Sequence, residues 1–328
     1  MSKIEQTFDA YEKWCDALGV HTTQDLNNAI GNGHINEIVN LSEIWHEHNI
    51  SAVADMIKKN IKTKKLILIA GPSSSGKTSF SIRLKLHLMV LGIGSKTISL
   101  DDYYRDLSNI PFDQLDFTKF DDPDAVDFEL FNAHIKDIIN GKKVITPVFD
   151  FTSRKRIDNS KVIELKDNEV IIVEGIHALN DHIASNIDNE KKCKVYCTAL
   201  TILKKSNGNK ISSQRTRLIR RMIRDCKFRA SSPDITFQMW GDVEKAAEKY
   251  IYPYTDNADV VFNSSVLYEF GVYKKYVEEL LHAYPAKAEY KEYTDKIWSV
   301  INDFDTIDLG VVPTMSLIRE FVGGSSLM

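Results

Sequence analysis

An α/β fold, a parallel sheet flanked by helices, is what the sequence predicts, on two observations. From residue 66 onward, short apolar runs alternate with amphipathic stretches, the pattern of strands joined by crossover helices. The runs are almost continuously apolar, as parallel strands buried on both faces are. The expected strands are LILIA (66–70), KTISL (96–100), EVIIVEG (169–175), KVYCTAL (194–200) and ADVVFNS (258–264). Helical stretches lie between most of them: SFSIRLKLHLMVLG (79–92), DFELFNAHIKDIIN (127–140), RTRLIRRMIRDC (215–226) and LYEFGVYKKYVEELL (267–281). VITPVFDF (144–151) and RIDNSKVIEL (156–165) read as an antiparallel flap on one side.

The first 65 residues read as a helical N-terminal extension. Phe8, Tyr11, Trp14 and Leu18 recur at helical spacing and make one apolar stripe. Thr23 opens a second helix that Gly31 and Gly33 stop. HINEIVNLSEIWHEHNI (34–50) and SAVADMIKKNI (51–61) read as two more. The domain reading is therefore 1–65 as the extension, 66–285 as the α/β domain and 286–328 as a C-terminal segment packing on it. The terminal GGSSLM reads as a flexible tail.

Composition excludes some functions. Of 328 residues, 43% are hydrophobic and 27% charged, and the formal net charge is −4. That is ordinary globular composition, and it argues against non-specific nucleic-acid binding as the main task. No apolar run approaches a membrane span, and the N-terminus lacks a signal-peptide core, so a cytoplasmic protein without a membrane partner is expected. Cys15, Cys193, Cys197 and Cys226 form no CxxC pair and read as buried reduced thiols. His46 and His48, around Glu47, lack metalloprotease spacing.

One stretch carries chemistry outright. Gly71-Pro72-Ser73-Ser74-Ser75-Gly76-Lys77-Thr78, followed by Ser79, matches G-x-x-x-x-G-K-[ST] between a buried strand and an amphipathic helix. Glycines let such a loop turn its backbone N–H groups onto phosphate oxygens at a helix N-terminus. Lys77 would neutralise the β/γ-phosphates and the Thr78 hydroxyl would bind Mg²⁺. The fold class thereby narrows to a P-loop NTPase-like sheet. Asn209-Lys210-Ile211-Ser212 lacks the Asp of a guanine-reading N-K-x-D segment, which counts against a GTPase switch. The strand EVIIVEG closes on a single carboxylate, Glu174, able to hold Mg²⁺ directly or through water.

Two further features separate a kinase from a switch. The second strand runs into Asp101 and Asp102, and strand C-termini face the ligand crevice in open α/β sheets. Either carboxylate could accept the proton of an alcohol placed in line with a γ-phosphate. Arg217, Arg220, Arg221 and Arg224 fall on one helical face, with Arg229 soon after. An arginine-bearing lid helix over transferring phosphates is the functional reading, against a solvated basic helix or an RNA-binding face.

These residues resemble the uridine kinase branch of the phosphoribulokinase/uridine kinase family, from about Leu66 to Asn263. The landmarks are GPSSSGKT, SLDDYYRDL, FDDPDAVD, TPVFDF, EGIH and RLIRRMIRD. The chain is most similar to bacterial-type nucleoside kinases with a synthetase-like N-terminal extension, on AGPSSSGKTSF, EGIHALN, RMIRDCKFR, YIYPYTDNADVVFNSSVLYE and SLIREFVGGSS. The domain that such relatives often carry further upstream is expected to be absent.

The resemblance implies ATP- and Mg²⁺-dependent phosphorylation of a nucleoside 5′-hydroxyl, uridine or cytidine foremost. The alternatives are a kinase for another small hydroxyl acceptor, such as a sugar phosphate or a pantothenate-like molecule, and a non-catalytic nucleotide-binding regulator. Asp101 aligns with the general base, Tyr104 with a tyrosine of the nucleoside site, and Asp121 with the carboxylate gripping the ribose. Phe120 and Phe151 align with aromatics on the base, Glu174 with the carboxylate near Mg²⁺, and Arg221 with an acceptor-site arginine. Arg224 and Arg229 align with lid arginines on the ATP phosphates. A homo-oligomer is left open. Three departures stand out. Phe149 and Arg154 replace a tyrosine and a histidine that read the pyrimidine edge, and polar readout is where large discrimination arises. Ala230 and Ser231 stand where a Gly and an Arg are usual. Residues 201–216 depart from the subgroup's pattern.

Overall fold

The computed structural model describes residues 1–106, 121–150 and 153–327. Three helices precede the first strand: α1 (Lys3–Leu18), α2 (Thr23–Gly31) and α3 (Ile35–Lys59). Ser2 and Glu5 close a capping box at the start of α1, and Gly19, at φ 65°, ends it. The two stretches expected over 34–61 are one helix. No Gly or Pro interrupts 35–59, so nothing breaks the hydrogen-bond ladder at Ser51.

The α/β unit then follows the expected order. β1 (Leu66–Ala70), α4 (Lys77–Val90), β2 (Gly94–Ser99), α5 (Phe128–Ile139), β3 (Val144–Asp150), β4 (Lys155–Ile163), β5 (Glu169–Glu174), β6 (Lys192–Thr198), α6 (Ser213–Phe228), α7 (Pro233–Tyr250), β7 (Val260–Asn263) and α8 (Glu269–Ala283) succeed one another. The main sheet has the order β2-β5-β1-β6-β7, with every neighbouring pair parallel. β1 sits at its centre, buried along its whole length. β3 and β4 form the antiparallel flap. Helix α7 was not anticipated, although Ser232 followed by Pro233 is a helix-start pattern, with Pro233 in the first turn.

The chain ends with α9 (Lys291–Ile301) and a short α10 (Arg319–Val322). The terminal segment is anchored, which corrects the expectation of a flexible tail. Phe321 and Val322 are fully buried, and Ser326 N–H donates to Thr314 O at 3.0 Å. Gly323 and Gly324 take φ of 88° and 72°, turning the chain back over α6.

One apolar cluster runs through all of this. It joins Tyr11, Val39, Ile50 and Ile57 of the first helices to Ile67 and Phe80 of the α/β unit, and to Ile301, Leu317 and Phe321 near the C-terminus. Arg83 of α4 is buried between Glu47 (2.6 Å) and Glu43 (3.6 Å) of α3. Glu43 also accepts from Tyr268 (2.6 Å) and Ser316 (2.7 Å), so one carboxylate ties α3 to α4, α8 and the C-terminal segment. Along the sheet edge, α1 covers β7: Thr7 Oγ1 donates to Val261 O at 3.4 Å and the Tyr11 hydroxyl to Ser265 O at 2.9 Å. Covering an edge strand protects it from pairing with another chain.

Candidate active site

The loop between β1 and α4 is shaped by its glycines. A Cβ on Gly71 would lie 2.2 Å from Cys197 O, so β6 pins the loop's start against anything but glycine. Gly76 has φ 82°, and a Cβ there would sit 3.0 Å from Leu317. Ser74, at φ 61°, is also left-handed. Between them the loop closes on itself, with Ser75 N–H on Pro72 O at 3.2 Å. Lys77 Nζ donates to Gly71 O (2.8 Å) and Pro72 O (3.2 Å). Ser74 Oγ and Ser75 Oγ are buried with no partner among the described residues. Orphaned donors in a glycine-lined cradle at a helix N-terminus suit an anionic phosphate chain.

This loop is one wall of a cavity of about 630 Å³. Ser73, Ser74, Ser75, Gly76, Lys77 and Thr78 line it, together with Asp101, Tyr104, Asp121, Glu174, Arg221, Arg224, Arg229 and Glu320. Ser79 lies just behind, holding Glu320. Of the two acidic candidates after β2, Asp101 reaches the cavity and Asp102 does not. Asp102 turns to the flap, accepting from Phe149 N–H at 3.4 Å. A short 3₁₀ turn, Leu100–Tyr103, makes the separation by aiming consecutive side chains apart.

Burial pushes the Asp101 carboxyl up to about 6, with Lys77 opposing and Asp121 and Asp102 adding to the rise. Burial likewise pushes Glu174 up to about 7 against Lys77, helped by Asp101 and Glu320. Asp121 is raised by burial, opposed by Arg221 and Lys77. Perturbed carboxylates facing one lysine in a cleft are the usual electrostatics of a functional site. Thr78 and Glu174 offer one hydroxyl and one carboxylate to the cavity, the sparse protein set that would suit Mg²⁺ bound together with a nucleotide.

The arginine face divides in two. Arg221 NH1 donates to Ser73 Oγ at 3.0 Å, and Arg221 and Arg224 line the cavity. Arg217 and Arg220 do not. Arg217 is buried against Glu244. Arg220 pairs with buried Glu269 at 2.8 Å and donates to Ser264 Oγ (2.9 Å) and Ser74 O (3.4 Å), bracing the loop from behind. Asp225 gathers the cavity arginines: Arg221 at 3.3 Å, Arg224 at 2.9 Å and Arg229 at 3.5 Å.

The other expected residues sit apart. Phe149 is buried with its ring 5.4 Å from that of Tyr104, and Arg154 lies at the β3–β4 turn with φ 56°. Neither is among the residues lining the cavity. Phe120 and Phe151 lie outside the described residues. The sequence reading missed Glu320, Asp225 and the Arg220–Glu269 brace. Glu320 had one signal, its place inside SLIREFVGGSS.

A model of the Phosphoribulokinase / Uridine kinase family matches residues 66–268. The chain is similar to the uridine kinase of Staphylococcus aureus (strain JH9), 31% identical over 202 residues that make up 61% of this chain and 88% of that protein. Among solved structures it is similar to one described as a possible uridine kinase from Bacillus stearothermophilus, at TM-score 0.46 and 18% identity, covering 67% of this chain and 100% of that one. It is also similar to D-glycerate 3-kinase from Cryptococcus neoformans, at TM-score 0.33 and 13% identity, covering 76% of this chain and 85% of that one.

Proposed function

The chain belongs to the phosphoribulokinase/uridine kinase family, and from that premise we propose that it phosphorylates the 5′-hydroxyl of a nucleoside, uridine or cytidine foremost, using ATP and Mg²⁺. The coarser statement, a kinase that binds nucleotide at its phosphate loop, comes with the family. The relative named uridine kinase supports the finer one. The observation that carries it is Asp101, a half-buried carboxylate whose proton affinity burial has raised, in one cavity with Lys77.

Asp101 takes the proton from the acceptor hydroxyl as that oxygen becomes a nucleophile. A carboxyl held at about 6 is a better base than a solvated aspartate and is still ionised at neutral pH. Lys77, Arg224 and Arg229 supply positive charge along the cavity wall, where it offsets charge developing during transfer. Thr78 and Glu174 would hold Mg²⁺, which shields the phosphate oxygens when bound. Tyr104 and Asp121 also line the cavity and would meet the acceptor's ring and ribose hydroxyls, with Arg221 close to Asp121. The domain boundaries at 65 and 285, a cytoplasmic location and a role in pyrimidine salvage belong to the same reading.

The deciding experiment measures ADP release from ATP and Mg²⁺ with a panel of nucleosides, sugars and pantothenate, and weighs the products by mass spectrometry. Release that depends on uridine or cytidine, with the 5′-monophosphate formed, is expected. Stimulation by a sugar phosphate or pantothenate alone would refute the nucleoside assignment.

A further inference from the structure

The C-terminal segment delivers a carboxylate to the phosphate loop. Glu320 Oε2 accepts from Ser79 Oγ at 2.6 Å and from Ser79 N–H at 3.3 Å. Ser79 lies in the first turn of α4, whose first intrahelical bond begins at Phe80 N–H to Gly76 O. Its N–H is therefore one of the donors that a helix leaves unpaired, on the turn whose positive end attracts phosphate. A glutamate 241 residues away in the chain holds the group that a donor phosphate would take.

The backbone carrying Glu320 is held firmly. Leu317, Phe321 and Val322 are fully buried, and Leu317 packs under Gly76. Arg319, the preceding residue, donates to Leu309 O at 3.0 Å and to Val312 O at 2.5 Å. Phosphate can thus displace the Glu320 side chain by rotation but cannot push the segment away. The rotated carboxylate stays in a cavity that already holds Asp101 and Glu174, and it adds to the negative charge near Glu174.

We propose that Glu320 is a resident anion of the donor-phosphate site: nucleotide binds by turning its carboxylate off Ser79, and the charge retained nearby makes binding depend on a cation that accompanies the phosphates. This rests on the donor-nucleotide reading above. It gives the C-terminal segment a direct part in setting nucleotide affinity, and it requires no chemistry from Glu320.

The test is calorimetric binding of ATP, with Mg²⁺ and with EDTA, and of adenosine, to the wild-type protein, Glu320→Gln, Glu320→Asp and Lys77→Ala. Removing one like charge from a partly buried site should tighten metal-free ATP binding about tenfold in Glu320→Gln. The same variant should bind MgATP within about threefold of wild type, because the metal already offsets the repulsion. Adenosine, which has no phosphate, should bind both equally. Glu320→Asp keeps the charge and should stay close to wild type with metal-free ATP. If the amide variant binds metal-free ATP no more tightly than wild type, or gains equally for adenosine, the proposal is overturned. Glu320→Ala repeats the measurement should the amide variant fold poorly. If ATP affinity is indifferent to Lys77→Ala, the donor reading itself fails, and this proposal falls with it by a separate sign.

Discussion

Asp101 concentrates the residue-scale chemistry, and its environment makes a two-sided prediction. Its carboxyl is raised from 3.8 to about 6 in the folded chain, so the folded form binds the proton more tightly than the unfolded one. Asp101 therefore favours folding least when ionised: its contribution declines as pH rises between about 4 and about 6. Asp101→Asn should raise the melting temperature at pH 7 by about 1–3 °C while lowering kcat by about a hundred- to ten-thousandfold, with ATP still bound. In the wild type the acceptor-dependent rate should fall as pH drops through about 6, as the base becomes protonated, and the residual rate of the Asn variant should lack that limb. Near-wild-type turnover in Asp101→Asn would remove it from the base role. Ala230 yields a second prediction. It takes φ 48°, a left-handed conformation that a β-carbon resists, at the position where the resembling family tends to have glycine. Ala230→Gly should shift the urea midpoint upward by about 1 kcal/mol of stability at unchanged m. A loss of stability would mean that the strain is compensated elsewhere. Both positions were visible as motif residues. Strand-end position alone left Asp101 and Asp102 open, and the family resemblance chose Asp101; a single 3₁₀ turn is what brings Asp101 to the cavity and Asp102 to the flap.

At the scale of elements, α3 is built into the fold rather than laid upon it. Its Glu43 and Glu47 are the carboxylate partners of buried Arg83 on α4, and its Ile50, Val53 and Ile57 are buried in the shared core. Deleting residues 1–60 would leave that guanidinium unpaired, at a cost of about 3–5 kcal/mol, before any apolar surface is counted. Set against a typical net stability of about 5–15 kcal/mol, the shortened chain should be insoluble or unfolded, which expression and circular dichroism would reveal. A soluble, folded product would make the extension separable. The sequence reading located this helix but divided it in two, and it missed α7 although Ser232-Pro233 is a helix-start signal. The arginines of α6 share a face in sequence, yet the structure gives Arg217 and Arg220 to buried ion pairs and Arg221 and Arg224 to the cavity. A helical wheel records direction; the neighbours that meet each residue come from other elements.

Across the whole molecule, the three segments of the chain share one apolar cluster, from Tyr11 to Val322. They should therefore unfold together: scanning calorimetry should give one transition, with calorimetric and van't Hoff enthalpies in agreement. Two resolved transitions would mean that the N-terminal helices or the C-terminal segment melt independently. No helix among the described residues is long and apolar enough to cross a membrane. By itself the sequence determined the order of the strands, the phosphate loop and the family resemblance, because these rest on local periodicity, glycine spacing and contiguous motifs. The tertiary structure alone decided that Asp102, Arg217 and Arg220 are held away from the cavity, how far burial raises Asp101 and Glu174, and that Glu320 sits on the first turn of α4. Those properties depend on desolvation and on charges brought together from distant parts of the chain, and no local pattern encodes them.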